Sequence, residues 1–402
     1  MNLNEISESD RALIEQLREA IREELLLVPA YEMISVYFDG LLVGIEKSVF
    51  LFFFLFYLII PKIKFSLRAI SALELDKEDF STLEKVSAYC DSISEPLKYI
   101  PGSLLGYDKE HNIISLQTIG HLDVRGLLPC IRNSDLYILR ISETEGVMNL
   151  IRKNEKILGR QLGTVIIFDF DEISIDVLWM PAVKIVTTML SQLQEMFPDV
   201  IRKLFLINTP TFFRMLWMLV SPCLAKHTQE KIKILGDDWK EKLKECIDED
   251  VLYQHWGGVR KAETPFGHIR MGGKVPEKFR YDPSNDIPAS KLQKLKIPAG
   301  ALNFVPVVVK DSNPKRKLSW WWRIESGDID FSIVRTNDLV NLNNDSEDDV
   351  VIWPRFRLQT LYVPESGKVS CATPGTYKLI FDNRYSRFYY KIINYQFEIL
   401  ED

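Results

Sequence analysis

The sequence predicts a multi-domain chain: a partial N-terminal helical region, an α/β domain with a largely parallel sheet, and an all-β sandwich. Three observations carry this. Helical periodicity dominates the first 91 residues; short apolar strands alternate with helical segments from Asn112 to Arg260; and from Lys291 onward β-branched and aromatic runs are separated by turn residues. A chain of 402 residues, 46% hydrophobic and 26% charged, is long enough for two or three cores of ordinary size.

The first element is "SESDRALIEQLREAIREELL". It opens on capping-box spacing, Ser7 to Asp10, and sets Leu13, Ile14, Leu17, Ile21 and Leu25 on one helical stripe. An anomaly follows. In "SVFLFFFLFYLIIPKIKF" no polar side chain interrupts Val49 to Ile60, a run of 12 residues. As a helix that run covers about 18 Å, short of the roughly 30 Å of bilayer hydrocarbon. Extension back to Leu41 brings in Glu46 and Lys47, which are costly at mid-bilayer. About 40 residues precede the run, and their balance of charge is acidic rather than basic, so a signal peptide fits poorly. Helix-forming composition returns with "LRAISALELDKEDFSTLEKVSAYCDSI".

The strands of the α/β domain are "NIISLQTI", "TVIIFDF", "KLFLIN" and "KIKIL". Its helices are predicted at Ile131–Leu158, Met180–Met196 and Thr211–Val220, the second with Val183, Val186, Leu190 and Leu193 as a buried face. Lys261 to Ser290, with "MGG" and "DPSND", reads as a linker. Beyond it "ALNFVPVVV", "LSWWWRIES", "DIDFSIVR", "YKLIFDN" and "FYYKIINYQFEIL" read as sandwich strands.

Charge and cysteine usage exclude several classes. Met1 to Lys47 holds 10 acidic and 4 basic residues, leaving 46 of each in the remainder, with no basic surplus to displace the counterions of a nucleic acid. Cys90, Cys130, Cys223, Cys246 and Cys371 are scattered without a C-x-x-C pair, which favours a reducing cytoplasm. The five histidines lack zinc spacing, no G-x-S-x-G elbow is present, and no cofactor is expected. The carboxylates Asp169, Asp171 and Glu172 of "DFDEIS" end a buried strand, where they read better as turn acceptors than as a general-acid pair. "NLNNDSEDD" lacks the glycine a calcium loop needs and reads as solvated loop.

What stands out instead is apolar bulk without chemistry. "PTFFRMLWMLVSP" carries Phe212, Phe213, Met215, Leu216, Trp217, Met218, Leu219 and Val220 between two prolines. Such a helix is either an ordinary core helix or a lid on an apolar cavity.

Phe197 to Gly258 resembles the closing half of the CRAL-TRIO lipid-binding domain. The matching features, in order, are Phe197-Pro198-Asp199, Ile207-Asn208-Thr209-Pro210, the apolar helix, Pro222 with Thr228 and Lys231, Leu235-Gly236, and Trp256-Gly257-Gly258. "GTVIIFDFDEIS" and "LGYDKEHNIISLQTIG" extend the likeness back to about Ser92. The last domain resembles the GOLD β-sandwich through "LSWWWRIESGDIDFSI" and "TPGTYKLIFDNRYSRFYYKIINYQFEI", with Trp320, Asp328, Gly375, Tyr377, Asp382 and Asn383. The order of the two domains is similar to that of animal lipid carriers such as supernatant protein factor and the tocopherol-associated proteins.

The resemblance implies boundaries at 1–91, 92–260, 261–290 and 291–402, with an aberrant apolar segment at 43–61. It implies no enzyme. It implies a cytoplasmic carrier of a hydrophobic lipid, in transient contact with membranes, whose sandwich meets a protein partner. An interaction adaptor in trafficking or signalling is the alternative. Phe212, Phe213, Leu216, Trp217, Leu219 and Val220 would form the cavity and gate.

Thr228 and Lys231 stand where phosphatidylinositol-transfer members of the family contact the inositol phosphate. Thr164 is the one hydroxyl kept of the two those members use for phosphatidylcholine, Ile166 replacing the other. An inositol phosphate or an uncharged isoprenoid or sterol-like lipid is therefore expected. The family's Arg-rich N-terminal helix is replaced by the phenylalanine run. Roughly Val43 to Pro61 is expected to be translated intron or a divergent exon, with an interfacial anchor or a span as the alternatives. A clean cDNA containing those codons would remove the intron reading.

Overall fold

Helix-forming residues with apolar spacings of three and four build the first described part of the chain. The computed structural model describes residues 15–28, 31, 49–336 and 349–401. Ser7, Leu13 and Ile14 of the first predicted stripe, the segment 43–48, and residues 341–348 of the acidic loop lie outside it. Helix α1 is Arg22–Leu27, and Leu17, Ile21 and Leu25 of the predicted stripe are buried.

The phenylalanine run belongs to α2, Val49–Ala72, with Pro61 inside it. The side chains of residues 49–59 are outside the described residues; beyond them Ile63 and Leu67 are buried. Lys64 of α2 pairs with the buried Glu24 of α1 at 3.4 Å, and Ser66 Oγ donates to Met196 O. Among the described residues no helix is long and apolar enough to cross a membrane. Helix α3, Leu83–Ser92, is capped by the Thr82 side chain, which accepts from Lys85 N. Helix α4 is Asn133–Leu158. Gly146 lets α4 approach α3 closely, since a Cβ there would fall 2.7 Å from the Val86 methyls.

The chain divides into two compact units. The first takes the described residues up to Leu67 with Leu75–Leu127 and Leu139–Glu277, and the second takes Arg68–Glu74, Leu128–Ile138 and Lys278–Asp402. The first is α/β. Its sheet runs in order β1 (Ser103–Tyr107), β2 (Ile113–Gln117), β3 (Thr164–Asp169), β4 (Ile201–Ile207) and β5 (Ile232–Ile234). Only β1 is antiparallel to its neighbour; β2 to β5 are mutually parallel. After α4 its helices are α5 (Met180–Met196), α6 (Phe213–Val220), α7 (Lys226–Glu230) and α8 (Trp239–Cys246).

Period-two alternation sends Ile114, Leu116, Val165, Ile167, Phe205 and Ile207 into a core shared with Leu243 of α8 and Trp256. Phe266, Ile269 and Met271, from the stretch read as a linker, pack on the same core, and Arg270 donates to Gly102 O and Asp91. Glycine and proline richness sets an irregular backbone there without removing its packing.

The predicted buried face of α5 is rotated. Val183 is buried together with Ala182, Ile185, Met189 and Met196, whereas Val186 is exposed and Leu190 and Leu193 are half-buried. The helix carries two apolar stripes, and only one faces the core.

The second unit holds two four-stranded antiparallel sheets. The first, in order β10-β9-β12-β7, uses Val350–Leu358, Ile329–Thr336, Gly375–Asp382 and Leu302–Val309. The second, β11-β8-β13-β6, uses Glu365–Ser370, Arg316–Ile324, Lys391–Glu401 and Gln293–Ile297. They form a sandwich over Trp320, Trp322, Phe331, Phe356 and Phe381, with Trp322 edge-on to Phe381 at 5.5 Å. Residues 128–138 belong to this unit. Tyr137 stacks on Phe356 at 4.9 Å and donates to Arg357 O, Asn133 Nδ2 donates to Gln359 O, and Ser134 donates through N and Oγ to the Glu365 carboxylate.

Burial pushes the Glu365 carboxyl up to about 7, partly offset by Ser134 and the Arg132 charge, with Asp135 raising it further. A carboxyl that keeps its proton to higher pH when folded contributes most below its unfolded value. That contribution is lost as pH rises through about 7. Glu365→Gln should flatten the dependence of the urea midpoint on pH across this window and raise stability at pH 8 by about 3 kcal/mol. A midpoint that follows wild type at every pH removes Glu365 as the cause.

Candidate functional site

The second face of the α/β sheet is less deeply buried than the first. On β3, Ile166 and Phe168 are half-buried while Val165 and Ile167 beside them are fully buried. Ile166 and Phe168 lie on a small cluster with Phe170, Leu204, Leu206 and Ile232, and the residues that reach it from outside the sheet include Phe213 and Leu216 of α6. By the same alternation Thr164 shares this face, as do Ser115 and Gln117 of β2, which pair in register with Ile166 and Phe168. Gln117 Nε2 donates to Ser115 Oγ at 2.8 Å. This polar pair was not singled out from the sequence, although the alternation in "NIISLQTI" does place both on the face away from Ile114 and Leu116.

Helix α6 is apolar and has no buried residue. Phe212, Phe213, Leu216, Trp217, Leu219 and Val220 are half-buried, and Met215 and Met218 are 45% and 59% exposed. Phe213 meets Phe170 edge-on at 5.6 Å and lies against Trp217 at 6.3 Å. Proline marks both ends. Asn208 takes a left-handed φ of 52° just before Pro210, and Ser221-Pro222-Cys223 forms a tight turn after Val220. The exit is tied by Gln229 Nε2, which donates to Ser221 O and Leu224 O, and by Gln194 of α5, which accepts from Ala225 N. The exposed Val186 and the half-buried Leu190 and Leu193 lie on α5, the helix adjacent to α6.

Two of the three predicted headgroup residues reach one turn. The Thr164 Oγ donates to Val200 O at 3.2 Å, and the Lys231 ammonium pairs with the Asp199 carboxylate, one residue earlier. Asp199 holds a left-handed φ of 58° and also faces Arg202 at 3.5 Å. Thr228 is buried within α7, and Lys231 follows the helix end with its N–H on Thr228 O.

At the opposite end of β3, Asp169 accepts from Trp256 Nε1 at 2.9 Å, Asn208 Nδ2 at 2.8 Å and Asp171 N at 3.1 Å. The His255 imidazole is 3.9 Å away, and burial lowers its pKa. Three sequence stretches far apart in the chain thus converge on one carboxylate, which closes the strand as a turn acceptor.

The CRAL/TRIO domain family model matches residues 97–258. Similar proteins include Protein ctg-1 of Caenorhabditis elegans, 28% identical over 75% of this chain and 79% of its own length. They also include Protein real-time of Aedes aegypti, 24% identical over 70% of this chain and 47% of its own length, and its Drosophila melanogaster counterpart, 22% identical over 65% and 44%. The chain thus spans less than half of each insect protein. A solved structure, that of Sfh5, superposes with a TM-score of 0.42 at 15% identity, covering 59% of this chain and 84% of that one. Over residues 97–258 the α/β unit matches a CRAL/TRIO domain, with a helical region before it and a sandwich after it in the chain.

Proposed function

We propose that this chain is a cytoplasmic lipid carrier that encloses one hydrophobic ligand between the half-buried face of its α/β sheet and α6, and releases it at a membrane when α6 moves. The observation that carries this is an apolar helix, bracketed by prolines, with no residue of its own buried. Leaving so much apolar side chain half in water is unfavourable by about 25 cal/mol per Å² unless something else covers it. A ligand on the inner side and a membrane on the outer side would do so. Native mass spectrometry of the purified chain tests the reading: a stoichiometric lipid adduct supports it, and an empty protein supports an adaptor role for a GOLD-like sandwich.

Thr164, Thr228 and Lys231 are proposed as the polar end of the site, with phosphatidylinositol or a neutral isoprenoid or sterol-like lipid as ligand. The Asp199 carboxylate beside Lys231 would compete for the same ammonium, so a headgroup phosphate would have to displace or share it. Lys231→Ala should weaken phosphatidylinositol binding about tenfold or more, the worth of one charge-assisted hydrogen bond, and leave uptake of a neutral hydrophobe unchanged. Equal loss of both ligands would mean a damaged fold, and loss of neither would take Lys231 out of the site.

A further inference from the structure

The sandwich displays three consecutive large aromatics to solvent. Phe388, Tyr389 and Tyr390 are 83%, 74% and 55% exposed. The loop's backbone is tied at its end. The buried Asn383 donates to Tyr389 O at 2.9 Å and Pro298 O at 3.0 Å, and Ser386 Oγ donates to Tyr389 O at 3.0 Å. The neighbouring Tyr385 instead turns inward, donating to the Asp328 carboxylate at 2.8 Å under the Arg357 guanidinium. A backbone held this firmly presents its aromatic side chains already positioned, with little ordering cost left for binding.

Two stretches beside the aromatics carry cations only, although Glu325 and Asp382 pair with two of them. Residues 291–300 and 384–397 contain six basic side chains and no acidic one. Lys294 is paired with Glu325 and Arg384 with Asp382, but Lys296 lies 4.5 Å over the Tyr390 ring and Arg387, next to Phe388 in the chain, is exposed. Strand β6 is the edge of its sheet, and the lysines it carries there disfavour pairing with an added peptide strand.

We propose that the tip of residues 384–391, with Lys296, docks the sandwich on an anionic membrane surface. Phe388 enters the boundary between headgroups and acyl chains, Tyr389 and Tyr390 sit at headgroup level, and the cations meet anionic lipid heads. The proposal rests on the second unit alone and stands whether or not the first carries a lipid.

The test uses the full chain and protein-free vesicles, of phosphatidylcholine alone or with added phosphatidylserine, in co-sedimentation. The chain should bind the anionic vesicles and release with salt. Phe388→Ala with Tyr389→Ala should weaken that binding at least about tenfold, and Arg387→Glu should weaken it about fivefold or more for the cation lost. Both sets lie at exposed positions, so an unchanged urea midpoint checks the fold. Phe388→Trp should add fluorescence that acyl-chain bromines quench. Wild-type binding by the double aromatic variant, an unquenched tryptophan, or a wild-type chain that ignores both vesicles overturns the proposal, the last outcome assigning the tip to a protein partner.

Discussion

Leu216→Asp is expected to abolish exchange of lipid between donor and acceptor vesicles while leaving the circular dichroism of the protein unchanged. Leu216 and Phe213 are the α6 residues that reach the cluster on the inner sheet face, whereas the helix buries none of its own residues and so contributes little to the stability of the unit. An unpaired carboxylate placed there costs several kcal/mol, which either holds α6 away from the sheet or excludes the ligand. Met218→Asp is the matched control, because Met218 is exposed and absent from that cluster; it should retain bound lipid in native mass spectrometry. A Leu216→Asp protein that exchanges lipid at the wild-type rate would show that α6 is not the cover.

Asp169→Ala should unfold the α/β unit at markedly lower urea, with a loss of about 3–5 kcal/mol. Removal of the acceptor leaves the buried Trp256 N–H and the Asn208 amide without the partner they share. Asp169→Asn keeps the shape and one acceptor oxygen, so it should fall between the two in urea midpoint. An alanine variant within 1 kcal/mol of wild type would mean that water replaces the carboxylate, and that the convergence of the three stretches is geometric only.

Strand alternation and the two prolines made β2 to β5, their parallel character and α6 legible in the sequence, but not β1, the short antiparallel edge strand. The inner face of α5 was not, because Val183, Ile185 and Met189 on one side and Val186, Leu190 and Leu193 on the other are equally apolar. Hydrophobicity alone does not separate a core side from a half-exposed side. The partner of Lys231 was equally hidden, since Asp199 lies 32 residues away and meets it only after β4 and β5 pair. Thr228 and Lys231 were readable as one turn, but not the turn at Asp199 and Val200 that draws Thr164 and Lys231 together.

The placement of residues 128–138 in the sandwich unit sets a timetable for synthesis. Ser134 waits for Glu365, 231 residues later, and Asn133 waits for Gln359, 226 residues later. At about 5–20 residues per second a ribosome needs roughly 10–50 s to deliver those partners. Strand β13, which pairs with both β8 and β6, comes last of all. Throughout that interval the Tyr137 ring lacks Phe356, its stacking partner in the folded chain. Chaperone occupancy during translation should therefore peak after residue 138 leaves the exit tunnel and fall only when β13 has emerged. Ribosome stalling before Lys391 should leave the sandwich unit unfolded, however much of it has already been made.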